Sequence, residues 1–124
     1  MKALVRETDL FWCDRPFDEF PRGTTFIGVE VLPNAEVLTL GWEHPEDAVY
    51  VFGPEDGNLP KAVRLQCHRF IILPTRICLN LQVAAGMVLG HRMLDRMARG
   101  IEPARGAYDM MADDRGFADP GDDW

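Results

Sequence analysis

The sequence predicts an α/β fold in which a small parallel sheet with flanking helices is followed by one long helix near the C-terminus. Three observations carry that expectation. Residues 49–52 (Val-Tyr-Val-Phe) and 70–73 (Phe-Ile-Ile-Leu) are short apolar runs without polar alternation, as expected of strands covered on both faces. Residues 24–31 are β-branched and aromatic, bounded by Gly23 and by Pro33-Asn34. From about residue 78 to 97 the apolar period changes to three and four, with Val83, Met87, Gly90, Leu94 and Met97 on one face.

Taken in order, residues 2–6 can make a short strand and residues 9–13 an apolar patch around Phe11 and Trp12, before Arg15-Pro16 and Pro21-Arg22-Gly23 punctuate the chain. The strand of residues 24–31 follows. Residues 35–42 read as a short helix, capped by Asn34 and ended near Gly41, and residues 43–47 as a polar loop. The strand of residues 49–52 then stops at a loop of Gly, Pro and carboxylates, Gly53-Pro54-Glu55-Asp56-Gly57-Asn58. Residues 60–67 suit two helical turns with Lys61 and Arg64 outward, and residues 70–73 make the next strand, closed by Pro74. The long helix comes next, with Gly100 at its stop and Arg96 and Arg99 at the negative end of its dipole. Ala84, Ala85, Gly86 and Gly90 leave one side thin enough for close approach of another backbone. Residues 106–124 are acidic and without period and are expected to form a disordered tail, so residues 1–105 constitute the single domain.

Composition narrows the function classes. The chain has 124 residues and a net charge of −7. Residues 1–58 hold 4 Lys/Arg against 12 Asp/Glu, residues 59–105 hold 8 against 2, and residues 106–124 hold 1 against 6. The middle segment is therefore basic, and local charge outweighs total charge where salt screens over about 8–10 Å. A surface carrying Lys61, Arg64, Arg69, Arg76, Arg92, Arg96 and Arg99 could hold the phosphates of a nucleic acid, with Lys61, Arg64 and Arg76 the candidate RNA contacts and a solvated helix face the competing reading. No apolar run approaches the roughly 20 residues that span a bilayer, and the first residues lack the apolar core of a signal peptide, so no membrane partner and a cytoplasmic location are expected. Cys13, Cys67 and Cys78 show no Cys-x-x-Cys spacing and read as free thiols, and His44, His68 and His91 show no metal-ligand spacing, so no metal is expected.

Taken alone, Asp56-Gly57-Asn58 is a tight turn. The second strand end changes its meaning, because a polar Asn80 there opens a helix of small residues within Cys78-Leu79-Asn80-Leu81-Gln82-Val83-Ala84-Ala85. In order and strand context, Phe52-Gly53-Pro54-Glu55-Asp56-Gly57-Asn58-Leu59-Pro60 and Ile72-Leu73-Pro74 with Cys78-Leu79-Asn80 resemble two motifs of the TrmH/SpoU-like branch of the SPOUT superfamily. These are trefoil-knotted RNA methyltransferases that use S-adenosyl-L-methionine.

The resemblance covers about residues 24–98 and implies a C-terminal knot, a bent S-adenosylmethionine held largely by backbone groups, and a homodimer through the long helix. Carried over, Phe52, Gly53, Gly57 and Leu59 would form one wall of the cofactor pocket, Ile72, Leu73 and Pro74 a second, and Cys78 and Leu79 a third. It implies ribose 2′-O-methylation of a tRNA or rRNA, with Glu55 orienting substrate or holding its loop. Asn80 would either fix the loop through backbone bonds or touch substrate. The family's first motif, with an Asn and an Arg, has no counterpart, since the first Asn here is Asn34. Arg6, Arg15 or Arg22, from the same subunit or across the dimer, would have to replace that arginine, Arg22 being the catalytic candidate named. A non-catalytic SAM- or RNA-binding or dimerisation module is the alternative.

Overall fold

A computed structural model of the chain describes residues 12–54, 58–76 and 79–103. The expectations for residues 2–11 and for the tail at 106–124 lie outside those residues. The fold is mixed α/β. A 3₁₀ turn, Pro16–Glu19, precedes strand β1, Thr25–Val29, and strand β2, Glu36–Val37. Strand β3, Ala48–Phe52, helix α1, Lys61–Arg64, strand β4, Arg69–Ile72, and helix α2, Leu81–Ala98, complete the order. All the strand pairs are parallel, and the sheet order is β2-β4-β1-β3.

Parallel register puts alternate residues on opposite faces of this sheet. Ile27 lies beside Tyr50, and Val29 beside both Phe52 and Ile71. This face carries the core of Ile27, Leu38, Trp42, Ile71 and Val88, with Val29, Ala48, Tyr50, Phe52 and Leu73 packed around it. The opposite face is covered by aromatic side chains instead. Phe26 meets Phe17 and Phe20 edge-on at 4.9 and 5.8 Å between centroids, and stacks on His68 at 5.7 Å. His68 also ties β4 to β1, since its Nδ1 accepts the Phe26 amide at 2.9 Å and its own amide donates to the Phe26 carbonyl at 2.8 Å. Gly28 sits where the Phe70 ring of the next strand leaves no space for a side chain, with an added Cβ only 2.7 Å from two ring carbons.

Three sequence expectations are corrected. Residues 35–42 are not a helix. Glu36 and Val37 pair with Ile71 and Ile72 of β4, and the Leu38 amide donates to the Ile72 carbonyl at 2.9 Å. The sheet edge satisfies those backbone groups, whereas a helix this short would leave most of its terminal groups unpaired. Glu36 is further fixed by Arg69, whose Nε and Nη2 donate at 2.9 and 2.8 Å, and the Arg69 guanidinium lies over the Trp42 ring. Secondly, β3 is only partly buried along its whole length, and among the described residues it pairs only with β1.

Thirdly, α2 turns a different face to the sheet from the one hydropathy selects. Val88 is 0% exposed and Ala84 is buried beside it, while Val83 and Met87 face outward and Leu94 is 66% exposed. The expected stripe fails because the sheet-facing positions change chemistry halfway along the helix. Below Val88 they become His91, Arg92, Asp95, Arg96 and Arg99, which reach the loop before β3 through polar groups. The Arg92 guanidinium donates to the Pro45 and Glu46 carbonyls at 2.7 and 2.8 Å. Arg96 pairs with Glu46 at 2.7 Å and with Glu102 at 2.8 Å. Asp95 accepts the His44 amide at 3.0 Å, and Arg99 donates to the His44 carbonyl at 2.9 Å. These bonds hold the C-terminal half of α2 over the amino end of β3. Eighteen residues span about 27 Å, enough to carry the helix N-terminus to the carboxyl ends of the strands.

Candidate functional site

Unpaired backbone groups and loop side chains converge at the carboxyl ends of parallel strands, and small molecules bind there. In this protein the carboxyl ends of β1, β3 and β4 open into a cleft of about 500 Å³. Val29, Glu30 and Val31 line it from the end of β1. Phe52, Gly53, Pro54 and Asn58 come from the loop after β3, Ile72, Leu73, Thr75 and Arg76 from the segment after β4, and Leu79, Leu81 and Ala84 from the start of α2. The size suits a small organic ligand, and the lining mixes apolar side chains with the polar Glu30, Asn58, Thr75 and Arg76.

Two backbone features shape the β3 wall. An added Cβ on Gly53 would lie 3.2 Å from the Leu59 amide nitrogen, so a glycine lets the loop fold back tightly on itself. The Leu59 amide in turn donates to Glu30 Oε2 at 2.7 Å, while the Val31 amide donates to Glu30 Oε1 at 3.1 Å. One carboxylate thereby ties the loop after β3 to the end of β1. On the α2 side, Asn80 caps the helix, its Oδ1 accepting the Val83 amide at 2.9 Å. Of the two roles held open for Asn80, the capping bond supports the one that fixes geometry.

The residues expected at the cofactor site fall into three groups. Phe52, Gly53, Ile72, Leu73 and Leu79 line the cleft together. Leu59 is buried but faces a second, apolar cavity of about 370 Å³ on the other side of the sheet, beside Phe17, Phe20, Phe26 and Val63, and Pro74 lines neither cavity. Gly57, Cys78 and the expected catalytic Glu55 lie outside the described residues. Arg22 is exposed and does not line the cleft. Of the basic residues expected to meet RNA, Arg76 lines the cleft and Lys61 is exposed on α1. Arg64 is half-buried, with its Nε lacking a partner among the described residues.

Sequence reasoning passed over Glu30 and over the histidines at 44 and 91. Glu30 had one available signal, a carboxylate at the end of an otherwise β-branched and aromatic strand. The histidines had none, because their partnership spans 47 residues. His44 is 2% exposed, and its Nδ1 and Nε2 meet Tyr50 Oη at 2.5 Å and His91 Nδ1 at 2.7 Å. His91 Nε2 lies 2.6 Å from the Thr39 carbonyl oxygen, which can only accept, so that nitrogen carries a proton. With neutral rings the direction of every bond follows. His44 Nε2 donates to His91 Nδ1, Tyr50 donates to His44 Nδ1, and Arg92 donates to the Tyr50 oxygen at 3.1 Å.

Burial, and secondarily the proximity of His91 and of the Arg92 and Arg99 guanidiniums, push the His44 pKa down to about 4 against the opposing pull of Asp95. Burial also raises the Tyr50 phenol and the Cys67 thiol. The network is a structural clamp lying under α2 near the amino end of β3, away from the cleft. Among the described residues no group of three or more His, Cys, Asp or Glu is placed to hold a metal ion, and no helix is long and apolar enough to cross a membrane.

No protein-family model and no curated protein matches this chain.

Proposed function

We propose that the chain belongs to the TrmH/SpoU-like branch of the SPOUT superfamily and acts as a cytoplasmic, S-adenosylmethionine-dependent ribose 2′-O-methyltransferase of tRNA or rRNA. One observation supports this reading above the others. The two stretches that carry the sequence resemblance, after β3 and after β4, contribute to the same cleft at the carboxyl ends of an all-parallel sheet. Apolar Ile72, Leu73 and Leu79 suit the faces of an adenine, and Gly53 keeps backbone groups close to the ligand.

In this reading the cofactor would lie in the cleft and the C-terminal segment would thread a loop to make the family's knot. The reaction is an in-line displacement. When bound, S-adenosylmethionine would supply an activated methyl group for transfer to the ribose O2′, with S-adenosylhomocysteine as the leaving group and the hydroxyl proton passing to a base. The protein has to align the two reactants and assist that proton transfer. Arg76, in the cleft, and Lys61, on α1, would face the RNA phosphates. The outward apolar stripe of α2, including Val83, Met87 and Leu94, supports a homodimer, since monomers rarely leave a large contiguous apolar patch open. A Cβ added at Gly86 or Gly90 on the same helix would meet no other atom within 4 Å among the described residues, which leaves room for a partner backbone.

A non-catalytic module that binds SAM or RNA is the second reading. The position of Arg22 outside the cleft favours it, because that residue was to stand in for the family's missing arginine. Calorimetric titration with S-adenosylmethionine tests the cofactor premise, and saturable binding is expected. Incubation with total tRNA and rRNA, followed by nucleoside mass spectrometry, separates the two readings. A new 2′-O-methylated nucleoside supports the enzyme, whereas binding without methylation leaves the module. Absence of S-adenosylmethionine binding would refute the enzyme and the SAM-binding form of the module, leaving only an RNA-binding or dimerisation module.

A further inference from the structure

Glu30 supplies the sole carboxylate among the described residues of the cleft, at the end of the strand flanked by both walls. Its orientation is fixed on both sides. Oε1 accepts the Val31 amide at 3.1 Å and Oε2 accepts the Leu59 amide at 2.7 Å, so neither oxygen is free to swing away. The Glu30 amide itself donates to the Ile71 carbonyl at 3.2 Å, which anchors the backbone beneath. An ionised carboxylate accepts at about four lone-pair positions, and two are used here. Each oxygen therefore keeps acceptor capacity beyond its one amide bond, on a side chain that lines the cleft. The two oxygens call for a ligand with two adjacent hydrogen-bond donors.

Resting on the proposed cofactor reading of this cleft, we infer that Glu30 is a specificity-determining residue that accepts hydrogen bonds from the ribose 2′- and 3′-hydroxyls of the bound nucleoside. A vicinal diol matches paired carboxylate oxygens, and a carboxylate at a strand end of a parallel sheet serves that purpose in dinucleotide-binding folds. The same side chain ties down the loop after β3 through Leu59, so ligand recognition and loop position share one group. A diol donating to the oxygens that hold the loop is predicted to select ribonucleosides over their deoxy counterparts.

The test is a set of calorimetric or NMR titrations of the full chain with S-adenosylhomocysteine, adenosine, 2′-deoxyadenosine and 3′-deoxyadenosine. Wild type and Glu30→Gln are compared, with thermal melts verifying that the variant folds. Gln keeps a carbonyl oxygen for the Leu59 amide but lacks the charge. In wild type adenosine should bind about tenfold more tightly than either deoxynucleoside, the scale of a hydrogen bond to a charged group. In Glu30→Gln the ratio should shrink to about twofold or less.

An equal loss of affinity for all three nucleosides would overturn the inference and leave Glu30 as a loop tie only. Loss confined to S-adenosylhomocysteine would also overturn it, by assigning Glu30 to the ligand's α-ammonium. If S-adenosylhomocysteine binds wild type but no ribose preference is seen, the inference fails while the pocket reading stands. If S-adenosylhomocysteine does not bind at all, the pocket reading fails first.

Discussion

Acidification from pH 7 to pH 5 should cost the protein about 2 kcal/mol of folding stability through His44. In the folded chain its pKa is lowered to about 4, against an ordinary value of 6.5. Between those values the unfolded chain binds a proton that the folded chain refuses, so stability is complete above about pH 6.5 and falls as pH drops toward 4. At about 1.4 kcal/mol per pH unit the full window is worth about 3 kcal/mol, of which about 2 is spent by pH 5. The cause is geometric. A proton on His44 Nδ1 would point at the Tyr50 oxygen, which already receives an Arg92 N–H, and the new charge would sit among Arg92, Arg99 and His91, with Asp95 the one opposing carboxylate.

The carboxylates act in a different range. Arg69 holds Glu36 below its ordinary value of 4.5, and Arg99 holds Asp95 below 3.8, so their contributions are present at pH 5 and fade only at lower pH. Urea melts of wild type at pH 7, 6 and 5 should show the loss, with a melting temperature about 8 °C lower at pH 5. His44→Gln, less stable overall, should lose most of this pH slope. The His44 imidazole NMR signals should move only well below pH 6. Titration of that ring near 6.5, or parallel pH slopes in wild type and variant, would refute the reasoning.

Gly28→Ala should destabilise the fold by about 1–3 kcal/mol in urea melts, because its Cβ would overlap the Phe70 ring and force that side chain to shift. Asn80→Ala should cost about 1 kcal/mol and speed amide hydrogen exchange in the first turn of α2, including at Val83, whose amide loses its acceptor. Leu94→Glu, on the outward face of α2, should leave the monomer's stability within about 0.5 kcal/mol. The same change should convert a dimer to monomers in sedimentation velocity, and a wild-type protein that already sediments as a monomer would exclude the proposed interface.

The strands at 24–31, 49–52 and 70–73 were legible because a β-branched or wholly apolar run between Gly and Pro punctuation has few alternatives. Their actual bounds differ by one or two residues. The short run at 35–42 misled because its eight apolar and polar residues suit a helix turn as well as an edge strand. Only the free edge of β4, a long-range partner, decides between them. The face of α2 misled for a related reason: hydropathy finds the greasiest stripe, and here the buried stripe ends in His91, Arg92, Asp95 and Arg96. Those side chains are buried or half-buried because they find partners near residues 39–50, which no local pattern announces.

By itself, then, the sequence determined the α/β class, the two loops at strand ends, the helix that follows the second, and the basic middle segment. Each depends on neighbours within a few residues, where sterics, turn chemistry and periodicity act. Tertiary structure decided what meets what. It set the strand order β2-β4-β1-β3, put the loops after β3 and β4 around one cleft, brought Glu30 to its lining, and gave Leu59 to the opposite face. It also paired His44 with His91 across the α2 interface. Those outcomes depend on which backbone edges and buried polar groups find partners across tens of residues, a property of the folded chain rather than of any stretch within it.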